Sequence, residues 1–156
     1  MKIKQIVILF FMLAGLSWAG VSSAWEMHDA QGNVISSKNF EHKWLILNYW
    51  ASWCDSCREE TPEFNSFYEM NKDKNVVLYG VNYDHLTGNE LTSDINAMGI
   101  KFPNLAEDPS VMYALGELEV LPVTFIINPD GKVVKKIMGR SSAESLNDVL
   151  NYLRKK

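Results

Sequence analysis

Cysteine is nearly absent from this 156-residue chain: Cys54 and Cys57 are its only two, too few for the disulfide frameworks that hold small secreted domains together. Proline (5) and glycine (9) are also sparse, which sets aside collagen-like and low-complexity chains. An excess of positive charge is missing as well. There are 15 Lys and Arg against 19 Asp and Glu; the first 24 residues hold only Lys2 and Lys4, so the other 132 carry 13 basic and 19 acidic groups, a net charge of −6. That balance argues against nucleic acid as a partner. No apolar run reaches the roughly 20 residues needed to cross a bilayer. What is present is a chain 47% hydrophobic and 22% charged, the composition of a globular protein, and 132 residues suffice for one core and one domain.

Met1 to Gln5 is a short basic stretch, Ile6 to Leu16 is almost wholly apolar, and Ser22-Ser23-Ala24 places small residues at the −3 and −1 positions of a cut before Trp25. This is the layout of a secretory signal peptide. The rival reading is a retained membrane anchor, weakened because Ile6 to Val21 is only 16 residues and is interrupted by Gly15, Ser17 and Gly20. Residues 1–24 are therefore expected to be an export signal, with anchoring as the alternative, and 25–156 the folded domain. No cysteine near the segment offers a lipid attachment point. In both readings the domain works outside the cytoplasm, with the periplasm as the expected location, where disulfides persist unless something reduces them.

Hydrophobic periodicity divides the domain into alternating strands and helices. Ala30-Gln31-Gly32-Asn33 reads as a turn before a short strand at Val34 to Ser36, and Trp44 to Trp50 is a near-continuous apolar run suited to a strand buried on both faces. From about Ser56, Phe64, Phe67 and Tyr68 fall at helical spacing, and that helix ends near Asn71. Val76 to Asn82 is a second buried strand, so strand, helix and strand imply a right-handed parallel crossover. Leu91, Ile95 and Met98 mark a further helix stopped by Gly99, with a short strand expected at Phe102 to Leu105. Asp108-Pro109 reads as the start of a short helix ending near Gly116. Val123 to Ile127 and Val133 to Met138 are joined by the turn Asn128-Pro129-Asp130-Gly131 and pair antiparallel. The last helix opens with Ser141 and Glu144 in capping-box spacing and buries Leu146, Val149, Leu150 and Leu153. The predicted architecture is a single α/β sandwich: a mixed sheet of about five strands with helices on both faces.

The chemistry sits in Trp53-Cys54-Asp55-Ser56-Cys57, a C-x-x-C pair where a buried strand gives way to a helix. This spacing lets two thiols close one tight ring, and the helix N-terminus, with its unpaired N–H groups and positive dipole end, favours a thiolate at Cys54. Cys54 is the expected nucleophile, and Cys57, one turn inside, the thiol that resolves the mixed disulfide. Zinc binding wants four ligands, and His28, His42 and His85 are not spaced as a second pair. A structural disulfide closing so short a loop would remove little unfolded-state entropy. Neither metal nor cofactor is expected.

The run Tyr49-Trp50-Ala51-Ser52-Trp53-Cys54-Asp55-Ser56-Cys57-Arg58-Glu59-Glu60-Thr61-Pro62 resembles the active-site signature of extracytoplasmic thioredoxin-like proteins of the TlpA, ResA and CcmG (DsbE) group. Gly80-Val81-Asn82-Tyr83 and Val120-Leu121-Pro122 through Gly131-Lys132 resemble that group's second strand and cis-proline hairpin, so the likeness covers about Asn33 to Leu153. It implies a thioredoxin fold in which Tyr83 to Leu105 forms the group's central insertion. Pro122 is implied to be cis, exposing the backbone of Leu121 to an extended substrate peptide, with Trp53 as a wall of the same binding site. Two positions depart from the commonest motif: Ser56 stands where proline is usual, and Asp55 adds a negative charge beside Cys54, which disfavours the thiolate and makes the pair more reducing.

Resolution by Cys57 also needs a proton acceptor. Thioredoxins proper place a buried aspartate before the aromatic-Trp pair of the first strand, where this chain has Asn48, which cannot titrate. Related TlpA-like proteins use an acidic residue after the second strand, so Asp84 is the candidate, with His85 behind it because imidazole titrates near neutral pH. The resemblance implies a thiol–disulfide oxidoreductase acting as a reductant on disulfide-bearing substrate proteins, with apocytochrome c foremost, recharged by a membrane thiol donor of the DsbD/CcdA type. Reduction of thiols during copper-centre assembly is a close alternative. A non-enzymatic metal carrier using Cys54, Cys57 and His85 is a third, disfavoured because copper-handling thioredoxin folds of the Sco type use C-x-x-x-C.

Overall fold

The structure, a computed structural model, describes residues 25–106, 115 and 118–155. The export segment 1–24 lies outside them, as does all but Leu115 of the helix expected from Asp108-Pro109 to near Gly116. Seven strands form one mixed sheet in the order β2-β1-β5-β4-β3-β6-β7. They are β1 (Glu26–Asp29), β2 (Val34–Ser36), β3 (Trp44–Trp50), β4 (Val76–Asn82), β5 (Asn104–Ala106), β6 (Val123–Ile127) and β7 (Val133–Met138). Three α-helices are described, α1 (Asp55–Asn71), α2 (Gly88–Met98) and α3 (Ala143–Leu153).

The sheet is wider than the predicted five strands. β1 was not foreseen because four residues, of which only Met27 is buried, are too few to display an alternating pattern. It pairs antiparallel with β2 on one side and β5 on the other. β5 starts two residues later than expected, since it is flanked by β1 and β4, where Pro103 has no N–H to offer a ladder. The capping box of α3 is formed by Ser142 and Ser145, each accepting the other's backbone N–H. Ser141, one residue earlier, is buried and its N–H is used elsewhere, as described below.

Strand alternation sorts the core into two layers. Ile46 and Trp50 of β3 point to the side where Phe64 and Phe67 of α1, Leu91 and Met98 of α2, and Leu146 and Leu150 of α3 pack. Leu45, Leu47 and Tyr49 point to the other side, covered by Phe40 of a 3-10 turn (Ser37–Phe40) and by Trp25, Leu115 and Leu118. The central strand β3 runs parallel to β4, with Trp50 opposite Asn82, and antiparallel to β6, with Tyr49 opposite Val123. The chain segments leaving β3 and β4 and entering β6 therefore converge at one end of the sheet, the carboxyl ends of its parallel strands, where α/β folds place their sites.

One close approach anchors that end. Trp50 Nε1 donates to Asn104 Oδ1 at 2.7 Å across Gly80, and a Cβ added to Gly80 would overlap the Asn104 side chain and press on Trp50 Nε1. Gly80→Ala should therefore break this buried hydrogen bond and lower stability by about 2–4 kcal/mol, combining overpacking with an unpaired buried donor. Chemical denaturation checks this; a loss below about 0.5 kcal/mol would show that the neighbours yield freely.

Candidate active site

Cys54 is the N-cap of α1, with extended backbone (φ −88°, ψ 105°), and its Sγ accepts the Cys57 backbone N–H at 3.1 Å. The two cysteines are joined as a disulfide, their Cα atoms 5.3 Å apart. Cys54 is 7% exposed and Cys57 only 1%, an asymmetry in which an incoming sulfur reaches the first before the second. The local sequence produces this arrangement. β3 ends at Trp50, the Cys54 N–H closes a turn onto the Ala51 carbonyl at 3.2 Å, and Arg58 N–H returns to the Cys54 carbonyl at 3.1 Å as α1 begins.

The Leu121–Pro122 peptide is cis, and Val123 follows it into β6 directly beside Tyr49 of β3. The Pro122 carbonyl accepts the Gly139 N–H at 2.8 Å, while Leu121 is partly exposed. Trp53 is 64% exposed, and its Nε1 donates to Asp84 Oδ1 at 2.9 Å. The Tyr83 ring stands edge-on to it, with centroids 6.4 Å apart. Asp84 is held in turn by the Asn82 side chain, whose Oδ1 accepts the Asp84 N–H at 3.0 Å. His85, with φ 56°, lies in the exposed turn that follows. Asp84 is thus a partner of the Trp53 indole. His28 and His42 are both exposed.

The residue that sequence reasoning passed over is Glu60. It lies three residues after Cys57, hence on the same face of α1 one turn on, and is 2% exposed. Its Oε1 accepts from Asn48 Nδ2 at 2.8 Å, and its Oε2 accepts from the Ser141 N–H at 3.2 Å. Asn48 Nδ2 also reaches Thr124 Oγ1 at 3.2 Å. Burial raises the Glu60 carboxyl from 4.5 to about 7, against the lowering influence of the Asn48 hydrogen bond, the Ser141 N–H and the charge of Arg140. Arg140 itself pairs with Glu59, and Glu63 Oε2 accepts the Ala143 N–H at 2.9 Å. Three carboxylates of α1 thus hold the segment joining β7 to α3. The signal was present in the sequence: an acidic residue at Cys57+3 falls on the buried face of the helix that starts at Cys54.

Residues 22–136 match the AhpC/TSA family. The chain belongs to that family. Among its relatives, the thiol-disulfide oxidoreductase ResA of Bacillus thuringiensis (strain Al Hakam) is 32% identical over 127 residues, which cover 81% of this chain and 71% of ResA. The sporulation thiol-disulfide oxidoreductase A of Bacillus subtilis (strain 168) is 29% identical over 162 residues, covering 95% of this chain and 98% of the relative. The crystal structure of StoA from Bacillus subtilis superposes with a TM-score of 0.68 at 28% identity, over 82% of this chain and 96% of StoA. The expected thioredoxin fold and family resemblance are both borne out.

For a member of this family the site performs thiol–disulfide exchange. The more exposed sulfur caps a helix, the second lies shielded beneath it, and a carboxyl that titrates near neutral pH is buried one helical turn further on. Among the described residues no group of three or more His, Cys, Asp or Glu could hold a metal ion. Among the same residues, no helix is long and apolar enough to cross a membrane.

Proposed function

We propose that this protein is an exported protein-disulfide reductase working in the periplasm, with Cys54 as nucleophile, Cys57 as resolving thiol and Glu60 as proton acceptor. The observation that carries the reading is the Cys54–Cys57 disulfide at the cap of α1, with Glu60 buried at i+3 from Cys57. In the dithiol form the Cys54 thiolate attacks one sulfur of a substrate disulfide, forming a mixed disulfide and releasing the other substrate sulfur as a thiolate that takes a proton from solvent. Cys57 then passes its proton toward the Glu60 carboxylate and attacks Cys54 Sγ. The intramolecular disulfide forms, the second substrate thiolate leaves, and two electrons have moved from protein to substrate. A membrane-borne dithiol of the DsbD/CcdA type resets the pair.

In this reading the acceptor role expected of Asp84 passes to Glu60, and Asp84 serves by fixing the Trp53 indole at the rim. Leu121, a partly exposed residue beside the cis Pro122, would offer main-chain pairing to an extended peptide, and Trp53 offers an apolar wall. Such a site suits unfolded chains with little demand on sequence, and apocytochrome c, whose haem-attachment cysteines must be reduced before ligation, is the foremost substrate.

The test is capture in the periplasm. Cys57→Ala protein should accumulate mixed disulfides through Cys54, and Cys54→Ala none. Recovery of cytochrome c maturation components supports the substrate named here, whereas recovery of copper-site assembly proteins moves the reading to that pathway. Capture by Cys54→Ala and not by Cys57→Ala would reverse the two roles.

A further inference from the structure

We propose that Arg58 is a positioning residue for the exchange reaction: its guanidinium, forked between the turn that carries Cys54 and the end of α2, holds Cys54 Sγ over the Cys57 N–H and thereby sets how readily Cys54 ionises. The inference rests on the reductase reading above.

Arg58 Nη2 donates to the Ser52 carbonyl at 3.0 Å, and Nη1 donates to the Ala97 carbonyl at 3.1 Å. Ser52 lies inside the Ala51–Cys54 turn, so its carbonyl points away from the turn's own hydrogen bond and has Arg58 as its partner. Ala97 lies one residue before the end of α2, where the last helical carbonyls lack intrahelical donors and the dipole is negative. One planar, permanently charged group thus meets two needs that lie 45 residues apart in sequence. On the other flank of the turn, Trp53 Nε1 is tied to Asp84 Oδ1, just before α2 begins. The segment between β4 and β5 therefore grips the cysteine turn at two points, and Asn65 fastens the end of α2 to α1 by accepting the Lys101 N–H and donating to the Gly99 carbonyl.

The consequence for reactivity lies in the short contact between Cys57 N–H and Cys54 Sγ. A backbone donor aimed at sulfur favours the thiolate over the thiol, and its aim depends on where the turn sits relative to α1. Arg58 is exposed, so its loss removes this alignment without opening the core. Lysine at the same position keeps the charge and cannot span two carbonyls in a fixed plane.

The experiment compares wild type, Arg58→Lys and Arg58→Met, reading the Cys54 thiolate by its absorbance at 240 nm as a function of pH and by the rate of iodoacetamide alkylation at pH 6. Neither readout needs a protein substrate, so failure of the reductase reading and failure of this proposal are separable. Both variants should hold about tenfold less Cys54 thiolate at a pH below its midpoint, equivalent to one pKa unit, and alkylate correspondingly more slowly, while melting within a few degrees of wild type. A wild-type titration curve in Arg58→Lys would show that charge alone matters and overturn the positioning role. Unchanged curves in both variants would overturn any role for Arg58 in ionisation, and a large fall in melting temperature would make Arg58 a residue of the fold.

Discussion

Glu60→Gln should slow turnover about 100-fold at pH 7 and flatten its pH dependence. General acid–base groups typically contribute 10²–10⁴-fold, and a carboxyl that titrates at about 7 is half ionised at the pH where the proposed resolving step deprotonates Cys57. The pH–rate profile of the wild type should therefore bend near 7, and the variant's should lose that bend. Glutamine is nearly isosteric, and Asn48 can turn its amide to accept from the new Nε2, so the fold should persist. Stability provides a second readout with a definite sign. Because the folded carboxyl holds its proton more tightly than the ordinary 4.5, Glu60's contribution is fully present below pH 4.5 and is lost as pH rises through about 7. At about 1.4 kcal/mol per pKa unit the loss approaches about 3 kcal/mol. Oxidised wild type should thus melt lower at pH 8 than at pH 5, and Glu60→Gln should show a much flatter trend. A variant with unchanged pH–rate and pH–stability profiles would remove Glu60 from the mechanism.

Cys54→Ser should abolish reduction of insulin disulfides, down to the uncatalysed rate, whereas Cys57→Ser should still complete the first exchange. The difference comes from position. Cys54 Sγ is the cap of α1 and the more exposed of the two, and Cys57 is almost wholly enclosed. A serine hydroxyl at the cap can accept the same N–H bond and does not attack sulfur, so the variant should keep its helix and lose its chemistry. Mass spectrometry after mixing with an excess of a disulfide-containing peptide should show one adduct on Cys57→Ser and none on Cys54→Ser. Equal adducts on both variants would mean that either sulfur can begin the reaction.

The parts of the fold that could be read in advance are those whose signal is local and repeated. Trp44 to Trp50 and Val76 to Asn82 are long apolar runs, and both strands match the predicted bounds. The stop at Gly99 also matches, with the glycine in the left-handed region at φ 69°. What escaped depends on partners distant in sequence. β1 exists because β5 offers it an edge, and no four-residue pattern announces that. Ser141 has the chemistry of a cap residue, but its N–H is committed to Glu60, 81 residues away. The cysteine pair was legible because spacing alone brings i and i+3 together at a helix start. Glu60 was passed over because its polar partners, Asn48, Thr124 and Ser141, come from three separate segments, and a glutamate in an acidic stretch of helix reads as a solvated face until the burial of that turn is seen.

The two outer strands of the sheet bear on a hazard of the proposed work. A protein that handles unfolded chains continually meets extended segments ready to pair with any open backbone. β2 ends one side of the sheet with only three residues, too short to template much pairing. β7 ends the other with Lys135 and Lys136 in its middle, Lys136 lying over the Phe125 ring at 5.7 Å, and charged lysines discourage edge-to-edge association. On the proposed reading, a three-residue rim on one side and a lysine-bearing rim on the other would favour the loop at Leu121 as the landing place for a client chain, and the same economy of open edges should limit coaggregation with such clients.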